Sequence, residues 1–238
     1  MVKVNLSDND FFHLYVKNKD WKPLQNHGYF DNTYVLREED KDFPYQIISY
    51  LNLLDGIDTS NKHILDIGCG FGRGTYCLQK YFNCTITGTD IDKDFIKYAS
   101  DSYNKVNFIC DNFLDTKLKE NTYDIIVSNC SSHFFYNNNN FYLNLTKLLK
   151  KEGSILITDI CTKDSINILE NKLAKFNFKI EQMVDISEQT IQSMEYDIAT
   201  LFNRFDENII KPFYEIQMER LSFFKKNVTK QYKLRIKK

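Results

Sequence analysis

A glycine-rich turn follows an apolar, strand-like stretch in residues 63–75, HILDIGCGFGRGT. The acid Asp66 comes first, and four glycines then fall within seven residues, beginning with Gly68 and Gly70. Backbone without side chains lets the chain approach a nucleotide closely, and the N-terminus of a following helix favours such a ligand further. These residues therefore predict a turn that binds a nucleotide or a nucleoside.

The spacing of the glycines argues against two common phosphate-binding fingerprints. The dinucleotide pattern G-x-G-x-x-G needs a third glycine where this chain has Arg73 or Thr75, depending on the register. The P-loop pattern needs a lysine that does not follow these glycines. We therefore expect a nucleoside without a pyrophosphate, and Asp66 suits a ligand that carries an ammonium group. S-adenosylmethionine has both features.

A second acid ends the next strand-like segment, TITGTD. Asp90 lies 20 residues after Gly70, the distance at which an acid can accept both hydroxyls of a ribose. Two such bonds to a carboxylate would be charge-assisted and strong. The alternative is that Asp90 caps the following helix, although Asp92 could also do so.

A third acid ends the strand-like segment VNFIC. Asp111 could accept from the amino group of an adenine, and Phe113 could offer its backbone amide. Ligands of open parallel sheets bind in the crevice outside the carboxyl ends of the strands. Three acids at successive strand ends therefore predict one continuous nucleoside site.

The elements that position these acids follow from the hydrophobic pattern, in which strand-like and helix-like segments alternate, as is typical of a parallel sheet. The predicted strands are 63–67, 84–89, 106–110, 123–128, 154–159, 178–184 and 230–236. The predicted helices between them are 73–82, 92–103, 138–150 and 164–176. Residues 1–60 read as a helical lead and residues 187–225 as an amphipathic helical segment. Gly153, after two lysines, predicts a helix end with a positive φ.

Taken together, these segments resemble the class I S-adenosylmethionine-dependent methyltransferases. The matching stretches are LDIGCGFGRGT, TGTDID, FICDNF, YDIIVSNCSSHFF and LLKKEGSILITD. The resemblance implies an α/β, Rossmann-like sheet of seven strands in the order 3-2-1-4-5-7-6, with strand 7 antiparallel. It implies four regions: a helical lid in 1–60, the cofactor-binding core in 61–186, a helical cap in 187–229 and the last strand in 230–238.

The resemblance also assigns roles to residues. It places Asp66, Gly68 and Gly70 at the methionine end of the cofactor, Asp90 at the ribose and Asp111 at the adenine. Tyr29, in the segment HGYF, corresponds to a lid tyrosine of small-molecule methyltransferases. The complete predicted cofactor-binding set is Tyr29, Asp66, Gly68, Cys69, Gly70, Ile91, Asp90, Asp111, Asn112, Phe113 and Asn129.

The end of the fourth strand argues against two kinds of acceptor chemistry. Enzymes that methylate nucleobase or glutamine nitrogens carry [DNS]-P-P-[YFW] there, whereas this chain has residues 129–132, NCSS. Metal-dependent catechol-type enzymes place an aspartate ligand at this strand end, whereas Ser128 and Asn129 lack the anionic oxygen that a hard divalent ion prefers. We expect no metal.

His133 lies just beyond the fourth strand, on the side where the methyl group would point. A neutral imidazole is suited to take the proton from an acceptor hydroxyl. Asp159 ends the fifth strand, and an acid beside a histidine can fix its tautomer. The pair resembles the catalytic residues of sugar- and polyketide-tailoring O-methyltransferases. The alternatives are a structural loop histidine and, for Asp159, a helix cap.

The acceptor site is expected to be roofed by the helical segment after strand 6. An apolar roof favours an apolar or aromatic small molecule. The residues predicted to supply it are Met194, Tyr196, Leu201, Phe202, Phe205, Phe213 and Tyr214.

Composition limits the remaining alternatives. The 238-residue chain has a formal net charge of −1, so nucleic acid is not an expected partner overall. No apolar run is long enough for a membrane span, the N-terminus lacks a signal-peptide pattern, and six scattered cysteines read as reduced thiols. We expect a cytoplasmic monomer or homodimer.

The basic C-terminal segment leaves two interpretations open. Residues 221–238 contain seven basic residues and no acid. They could form a solvated edge strand protected by lysines, or a tail that binds a polyanion.

The sequence as a whole predicts an S-adenosylmethionine-dependent methyltransferase of a small, hydroxyl-bearing metabolite. The rivals are an RNA methyltransferase that uses the basic segment, a non-catalytic nucleotide-binding protein and an NAD-dependent oxidoreductase.

Overall fold

In the part of the chain that the structure describes, strands and helices largely alternate, much as the hydrophobic pattern predicts, and they number seven strands and seven α-helices. The computed structural model describes residues 26–201 and 207–238. The strands are β1 (Lys62–Ile67), β2 (Cys84–Asp90), β3 (Asn107–Cys110), β4 (Tyr123–Asn129), β5 (Leu149–Cys161), β6 (Lys179–Asp185) and β7 (Lys230–Lys237). The helices are α1 (Pro44–Leu53), α2 (Arg73–Tyr81), α3 (Lys93–Ser102), α4 (Asn139–Leu148), α5 (Lys163–Lys175), α6 (Ser187–Leu201) and α7 (Glu207–Lys225).

The strands form one sheet in the order β3-β2-β1-β4-β5-β7-β6. The first five strands are parallel, and β7 runs antiparallel to both of its neighbours, β5 and β6. The predicted fold class is therefore confirmed. Because β1 to β5 run in the same direction, their carboxyl ends lie together at one edge of the sheet, where the acids of the sequence motifs are found.

The central strands are apolar on both faces because helices cover both sides of the sheet. Alternate residues of β1 show this: Leu65 belongs to the core under α4 and α5, whereas its neighbour Ile64 belongs to the core under α1 and α2. Both side chains are fully buried. The continuous apolar runs in the sequence thus hold β1 at the centre of the sheet and fix its carboxyl end.

The N-terminal region contains less helix than the sequence predicts. Between residues 26 and 60, α1 is preceded only by a short 3-10 turn, Glu38–Asp40. Gly28 has a φ of 77°, and Pro44 starts α1 at a position where its missing N–H costs no helical bond. The helical reading is therefore corrected for residues 26–43, and residues 1–25 of the predicted helical lead lie outside the described residues.

Ion pairs anchor this region on α2. The Lys80 ammonium contacts the Asp40 carboxylate at 2.6 Å, and both side chains are 5% exposed. The Arg73 guanidinium pairs with Asp42. Because a buried charge left alone is costly, the two partners hold residues 38–42 firmly against the helix that follows the glycine turn.

Gly153 is not the helix stop that the sequence predicts. Helix α4 ends at Leu148, and Gly153 lies within β5, where the positive φ belongs to Glu152. A Cβ at Gly153 would lie 2.6 Å from the Leu149 side chain and 3.0 Å from the Asp124 carbonyl. Close packing, rather than a left-handed backbone, therefore explains this glycine.

The C-terminal strand is not an edge strand. It pairs with β5 on one side and with β6 on the other, so the expectation of a solvated edge is wrong. The edge on this side is β6, whose residues are mostly exposed. Among the described residues, the structure has no helix with the length and apolar character of a membrane span.

Candidate active site

The glycine turn joins β1 to α2 with a backbone that needs glycine. Gly68, Gly70 and Gly72 have φ values of 71°, 54° and 78°, which L side chains adopt only with strain. The amides of Gly68 and Cys69 both donate to the Thr89 carbonyl, at 2.8 and 2.9 Å. A Cβ at Gly68 would lie 2.5 Å from the Cβ of Ser131. The turn is thus fixed against β2 and against the loop after β4.

Asp66 lies fully buried beneath this turn. Its Oδ2 accepts a hydrogen bond from the Thr75 hydroxyl at 2.6 Å. Its Oδ1 has no hydrogen-bond partner in the described part of the chain. Burial raises the pKa of the carboxyl to about 7. An ammonium group placed here would supply the missing donor and favour the charged carboxylate, so Asp66 fits the methionine end of S-adenosylmethionine.

Asp90 connects the end of β2 to the glycine turn. Its Oδ2 accepts from the Gly70 amide at 2.9 Å, and its Oδ1 accepts from the Asp92 amide at 3.0 Å. A carboxylate has about four lone-pair positions, so two remain for a ribose diol. The cap of α3 is Asp92, whose side chain accepts from the amides of Asp94 and Phe95. The helix-cap alternative for Asp90 is therefore wrong.

The third acid lies at the end of β3. The Asp111 amide donates to the Asp90 carbonyl at 2.9 Å, and its buried Oδ2 has no partner within the described residues. This acceptor fits the amino group of an adenine. Asn112 uses its side-chain oxygen to accept from the Leu114 amide, and the Phe113 ring is buried in the core beneath α4. Only their backbone groups are thus suited to the nucleoside.

The other predicted cofactor residues lie around this crevice. The Ile91 side chain is 67% exposed beside Asp90, and it offers an apolar surface for the adenine. Cys69 is buried within the turn. Asn129, at the end of β4, donates to the Ser49 hydroxyl of α1 at 3.1 Å. The pattern of the sequence gave no signal for Ser49, because nothing local links it to β4.

The structure brings His133 and Asp159 into direct contact. Asp159 is fully buried at the end of β5, and its Oδ1 lies 2.7 Å from His133 Nδ1. Its Oδ2 accepts from the His133 amide at 2.8 Å. The carboxylate thus orients the ring and favours the tautomer with its proton on Nδ1, which makes Nε2 the basic nitrogen. The cap of α5 is Thr162, so the helix-cap alternative for Asp159 is wrong.

Three buried hydroxyls shape the loop that carries His133. Ser128 Oγ lies 2.7 Å from Ser131 Oγ and 2.7 Å from Ser132 Oγ. Ser131 Oγ in turn donates to the Ile67 carbonyl at 2.7 Å. Between them, Cys130 takes a φ of 57°. This network ties the loop after β4 to the end of β1, so it positions His133 relative to the glycine turn.

A strap, defined here as residues 26–30, crosses the acceptor side of the site between α1 and α6. The Tyr29 amide donates to the Tyr45 carbonyl at 2.9 Å, and the Phe30 amide donates to the Gln189 carbonyl at 3.1 Å. The Tyr29 side chain is half-buried, and burial raises its pKa. The strap is therefore held by two helices that lie more than 130 residues apart in the sequence.

The predicted apolar roof is only partly present in the described residues. Met194 is buried against Leu221 and Phe224, and the Tyr196 ring packs edge-on against Tyr45 at 4.9 Å. Tyr214 is half-buried. The other predicted members, Leu201, Phe202, Phe205 and Phe213, have side chains outside the described residues. Polar residues are also buried on α6, since Thr190 and Ser193 are fully buried.

His27 is a site residue that sequence reasoning missed. It lies in the strap, is 6% exposed, and places Nδ1 3.6 Å from Cys130 Sγ. Burial lowers its pKa to about 3, and the positive charges of Arg220 and of a protonated His133 lower it further. His27 thus lies close enough to His133 for their charges to interact. Its position directly before the glycine of the lid segment HGYF was the available signal.

The predicted residues fall into two groups that face each other across the sheet edge. Asp66, Asp90 and Asp111 lie at the ends of β1, β2 and β3, and His133 and Asp159 lie beyond β4 and β5. Within the described residues no group of His, Cys, Asp or Glu is arranged to hold a metal ion. The arrangement suits a nucleoside held by acids beside a histidine that can take a proton.

Comparisons with known proteins point in the same direction. A family model described as a methyltransferase domain matches residues 58–217. The chain is 25% identical to the fatty-acid O-methyltransferase of Mycolicibacterium smegmatis over 182 residues, which cover 74% of this chain and 66% of that protein. It is 30% identical to the phosphoethanolamine N-methyltransferase of Plasmodium falciparum over 112 residues, 45% of this chain and 42% of that protein.

These curated relatives are longer than the matched segments, so the chain spans from about two-fifths to just under two-thirds of their lengths. Among solved structures, geranyl diphosphate C-methyltransferase from Streptomyces coelicolor superposes with a TM-score of 0.71 at 14% identity, covering 96% of this chain and 97% of that one. The cyclase SpnF superposes with a TM-score of 0.74 at 15% identity, covering 95% and 92%. At such identities the likeness concerns the fold alone.

Proposed function

The chain belongs to the class I S-adenosylmethionine-dependent methyltransferases, and we propose that it methylates an oxygen of a small, hydroxyl-bearing metabolite with His133 as the general base. The contact between His133 and Asp159 is the observation that carries this proposal. In it, the region up to residue 60 acts as a lid, and residues 187–229 act as a cap over the acceptor.

The acids of the first three strands would hold the cofactor. Asp66 would pair with its ammonium group, Asp90 with its ribose hydroxyls and Asp111 with its adenine amino group. Asp66 Oδ1 and Asp111 Oδ2 are buried and have no hydrogen-bond partner among the described residues. They support this assignment because a bound nucleoside would satisfy both. S-adenosylmethionine supplies an electrophilic methyl group on a sulfonium, so no metal is required for the transfer.

His133 would remove the proton of the acceptor hydroxyl. Nε2 of His133 would take the proton of the hydroxyl as its oxygen is methylated. Asp159 would stabilise the resulting imidazolium through its 2.7 Å contact with Nδ1. Alignment of acceptor and methyl group would supply most of the rate enhancement, and proton removal would add about 10²–10⁴-fold.

Two features support a small acceptor. The named curated relatives are a fatty-acid O-methyltransferase and a phosphoethanolamine N-methyltransferase. The Phe134 ring, 62% exposed, lies 4.1 Å from the His133 ring between centroids and offers an apolar contact beside the reacting group. Nitrogen and carbon acceptors are the alternatives to oxygen.

The charges of the C-terminal strand weigh against the RNA alternative. Lys230 pairs with Asp185 at 2.7 Å and Arg235 with Glu181 at 3.2 Å, so acids of β6 neutralise part of the basic segment. We expect no salt-sensitive RNA complex, and a gel-shift titration with a transfer RNA checks this. A tight complex that weakens steeply with salt would favour the RNA methyltransferase instead.

The experiment that tests the proposal is a screen of hydroxyl-bearing metabolites for release of S-adenosylhomocysteine. With an acceptor in hand, His133→Ala is expected to lower kcat by about 10²–10⁴-fold and to leave cofactor affinity nearly unchanged. Wild-type turnover should fall at low pH, because an imidazolium cannot accept the proton.

His63→Ala is the matched control. His63 lies at the opposite end of β1, where its Nε2 contacts the Thr87 hydroxyl at 3.1 Å, so its removal should leave kcat unchanged. Near wild-type turnover in His133→Ala would overturn the base assignment. A carboxylate acceptor, already deprotonated, is the case in which the histidine would contribute little.

A further inference from the structure

Five polar side chains around the strap each keep a buried atom without a hydrogen-bond partner in the described residues. We call these residues the strap cluster; the atoms are His27 Nε2, Gln46 Oε1, Thr190 Oγ1, Ser193 Oγ and Gln231 Oε1. None of the five residues is more than 6% exposed. An unsatisfied buried polar group destabilises the folded protein, so five in one region call for a physical cause.

Shared neighbours link several members of the strap cluster. Cys130 Sγ lies 3.6 Å from His27 Nδ1 and 3.7 Å from Gln231 Nε2, so one sulfur links the strap to β7. Ser193 Oγ packs against the strap, since a Cβ at Gly28 would lie 2.0 Å from it.

The two helices beside the strap complete the cluster. Thr190 lies one turn before Ser193 on the same face of α6. The Gln46 amide nitrogen on α1 donates to Asp197 on α6, which leaves its Oε1 as the unpartnered atom.

The unpartnered atoms offer both donors and acceptors. The amide oxygens of Gln46 and Gln231 can only accept, whereas the hydroxyls of Thr190 and Ser193 can do either. Burial raises the pKa of Cys130 to about 12, so it remains a thiol. If its S–H donates to His27 Nδ1, the ring carries its own proton on Nε2 and donates there.

No member of the strap cluster is charged at neutral pH. Thr190, Ser193, Gln46 and Gln231 do not ionise, and burial keeps His27 neutral by lowering its pKa to about 3. The charged groups nearby are Arg220, Asp197 and the Asp159 carboxylate held by His133. An ion bound among the uncharged side chains would lose its hydration without gaining a counter-charge from them.

We propose that the strap cluster recognises the methyl acceptor, and that it binds an uncharged group with both N–H or O–H donors and an acceptor oxygen, such as a carboxamide. The inference rests on the proposed function, since it names the acceptor chemistry of the same site. The acceptor engages the cluster as the strap closes over it, and its donors satisfy the oxygens of Gln46 and Gln231. The apolar remainder of the acceptor extends toward Phe134.

The first test measures binding, so that it does not depend on turnover. The probes are 4-hydroxybenzamide, 4-hydroxybenzoate, 4-(aminomethyl)phenol and 4-ethylphenol, titrated by NMR into the protein saturated with S-adenosylhomocysteine. The carboxamide should bind at least about tenfold more tightly than the other three, because among the four groups opposite the phenol hydroxyl only the carboxamide is uncharged and able to donate and accept. The inference is overturned if either ion or the ethyl compound binds most tightly, or if no probe binds.

The second test uses the protein without ligand. Ser193→Ala and Thr190→Val each remove an unsatisfied hydroxyl, so each should raise Tm by about 2–4 °C while reducing the preference for the carboxamide to about threefold or less. Thr200→Val is the control on the same helix, since its hydroxyl already donates to the Tyr196 carbonyl at 2.9 Å and its loss should not raise Tm.

The outcomes separate this inference from the proposed function. A fall in Tm for both cluster variants, or an unchanged preference for the carboxamide, would show that the hydroxyls are structural and would overturn the inference. Preferred binding of the carboxamide together with full activity of His133→Ala would instead discard the general base and leave the strap cluster as the recognition site.

Discussion

The two halves of the site are assembled over very different distances along the chain. On the cofactor side, Thr75 reaches Asp66 across nine residues, and Gly70 reaches Asp90 across 20. On the acceptor side, His27 and Cys130 are 103 residues apart, and Cys130 and Gln231 are 101 apart.

We attribute this difference in sequence separation to the way in which each half would bind its ligand. The cofactor half uses strand ends and backbone amides that a short motif already sets in place, so few side chains suffice. The proposed acceptor half takes its side chains from the strap, two helices and β7, because a small molecule would be contacted from several sides there. We therefore expect changes in the cofactor half to act on cofactor affinity and changes in the acceptor half to act on the acceptor alone.

Gly70→Val tests the division between the cofactor half and the acceptor half, and it is expected to cause the largest loss of cofactor affinity. Gly70 has a φ of 54°, which a β-branched residue adopts only with strain, and a Val side chain would enter the space of the methionine. S-adenosylmethionine affinity should fall by at least about 100-fold, roughly 2.7 kcal/mol, by titration calorimetry. Circular dichroism should report an intact fold. Retained affinity would place the methionine end elsewhere.

A smaller loss is expected for Asp90→Ala. Removal of the carboxylate takes away the acceptor for the ribose and costs about 1.5–3 kcal/mol of cofactor binding, the scale for hydrogen bonds to a charged group. The same calorimetry checks it, with Asp94→Ala as the control because Asp94 lies one turn further on, in α3. Affinity within twofold of wild type would remove Asp90 from the site and blur the division between the halves.

The smallest effect is a pH dependence that belongs to the cofactor half. Burial raises the pKa of Asp66 from 3.8 to about 7, so the ligand-free protein favours the neutral carboxyl below that pH. The ammonium of the cofactor favours the carboxylate, so binding releases a proton there. Affinity should rise by up to about tenfold per pH unit toward pH 7 and level off above pH 8.

Asp66→Asn should abolish this dependence and bind weakly at every pH. The folding stability of the free protein should depend on pH with the opposite sign. Folding raises the pKa of the Asp66 carboxyl, so its contribution to the free energy of unfolding is lost as pH rises from about 4 through 7. Asp66→Asn should lose this dependence too. His27, with its pKa near 3 in the folded protein, should add no titration to the cofactor affinity between pH 5 and 8. A pH profile of cofactor affinity that persists in Asp66→Asn would contradict the assignment.

The sequence predicted the cofactor half because its signals are local. An acid, a glycine turn and two further strand-end acids predict the type of ligand, whereas the order of the strands was implied by the family resemblance. The boundaries of β1 and β2 differ from the prediction by only one residue at an end. Hydrophobic periodicity sufficed for the strands because both faces of the central sheet are covered, which makes the apolar runs continuous.

What the sequence could not supply depends on packing between distant segments. The contact between His133 and Asp159 was anticipated only through resemblance. The loop hydroxyls, Ser49 and the members of the strap cluster other than His27 gave no sequence signal. Gly153 was wrongly predicted to end a helix, because a glycine is needed there for the close approach of Leu149. The C-terminal strand was wrongly predicted to be an edge strand, because the acids that pair with its basic residues lie on β6, which is distant in the sequence.

The sequence by itself thus determined the sheet, the family and the nucleoside-binding edge, since each rests on a motif or a periodicity contained within about 30 residues. Only the tertiary structure decided how the acceptor side is built. There, the side chains of His27 and Gln231 both contact the sulfur of Cys130, which is more than 100 residues from each of them. Burial, rather than spacing in the sequence, keeps His27 and Cys130 uncharged and so limits the chemistry available to an acceptor.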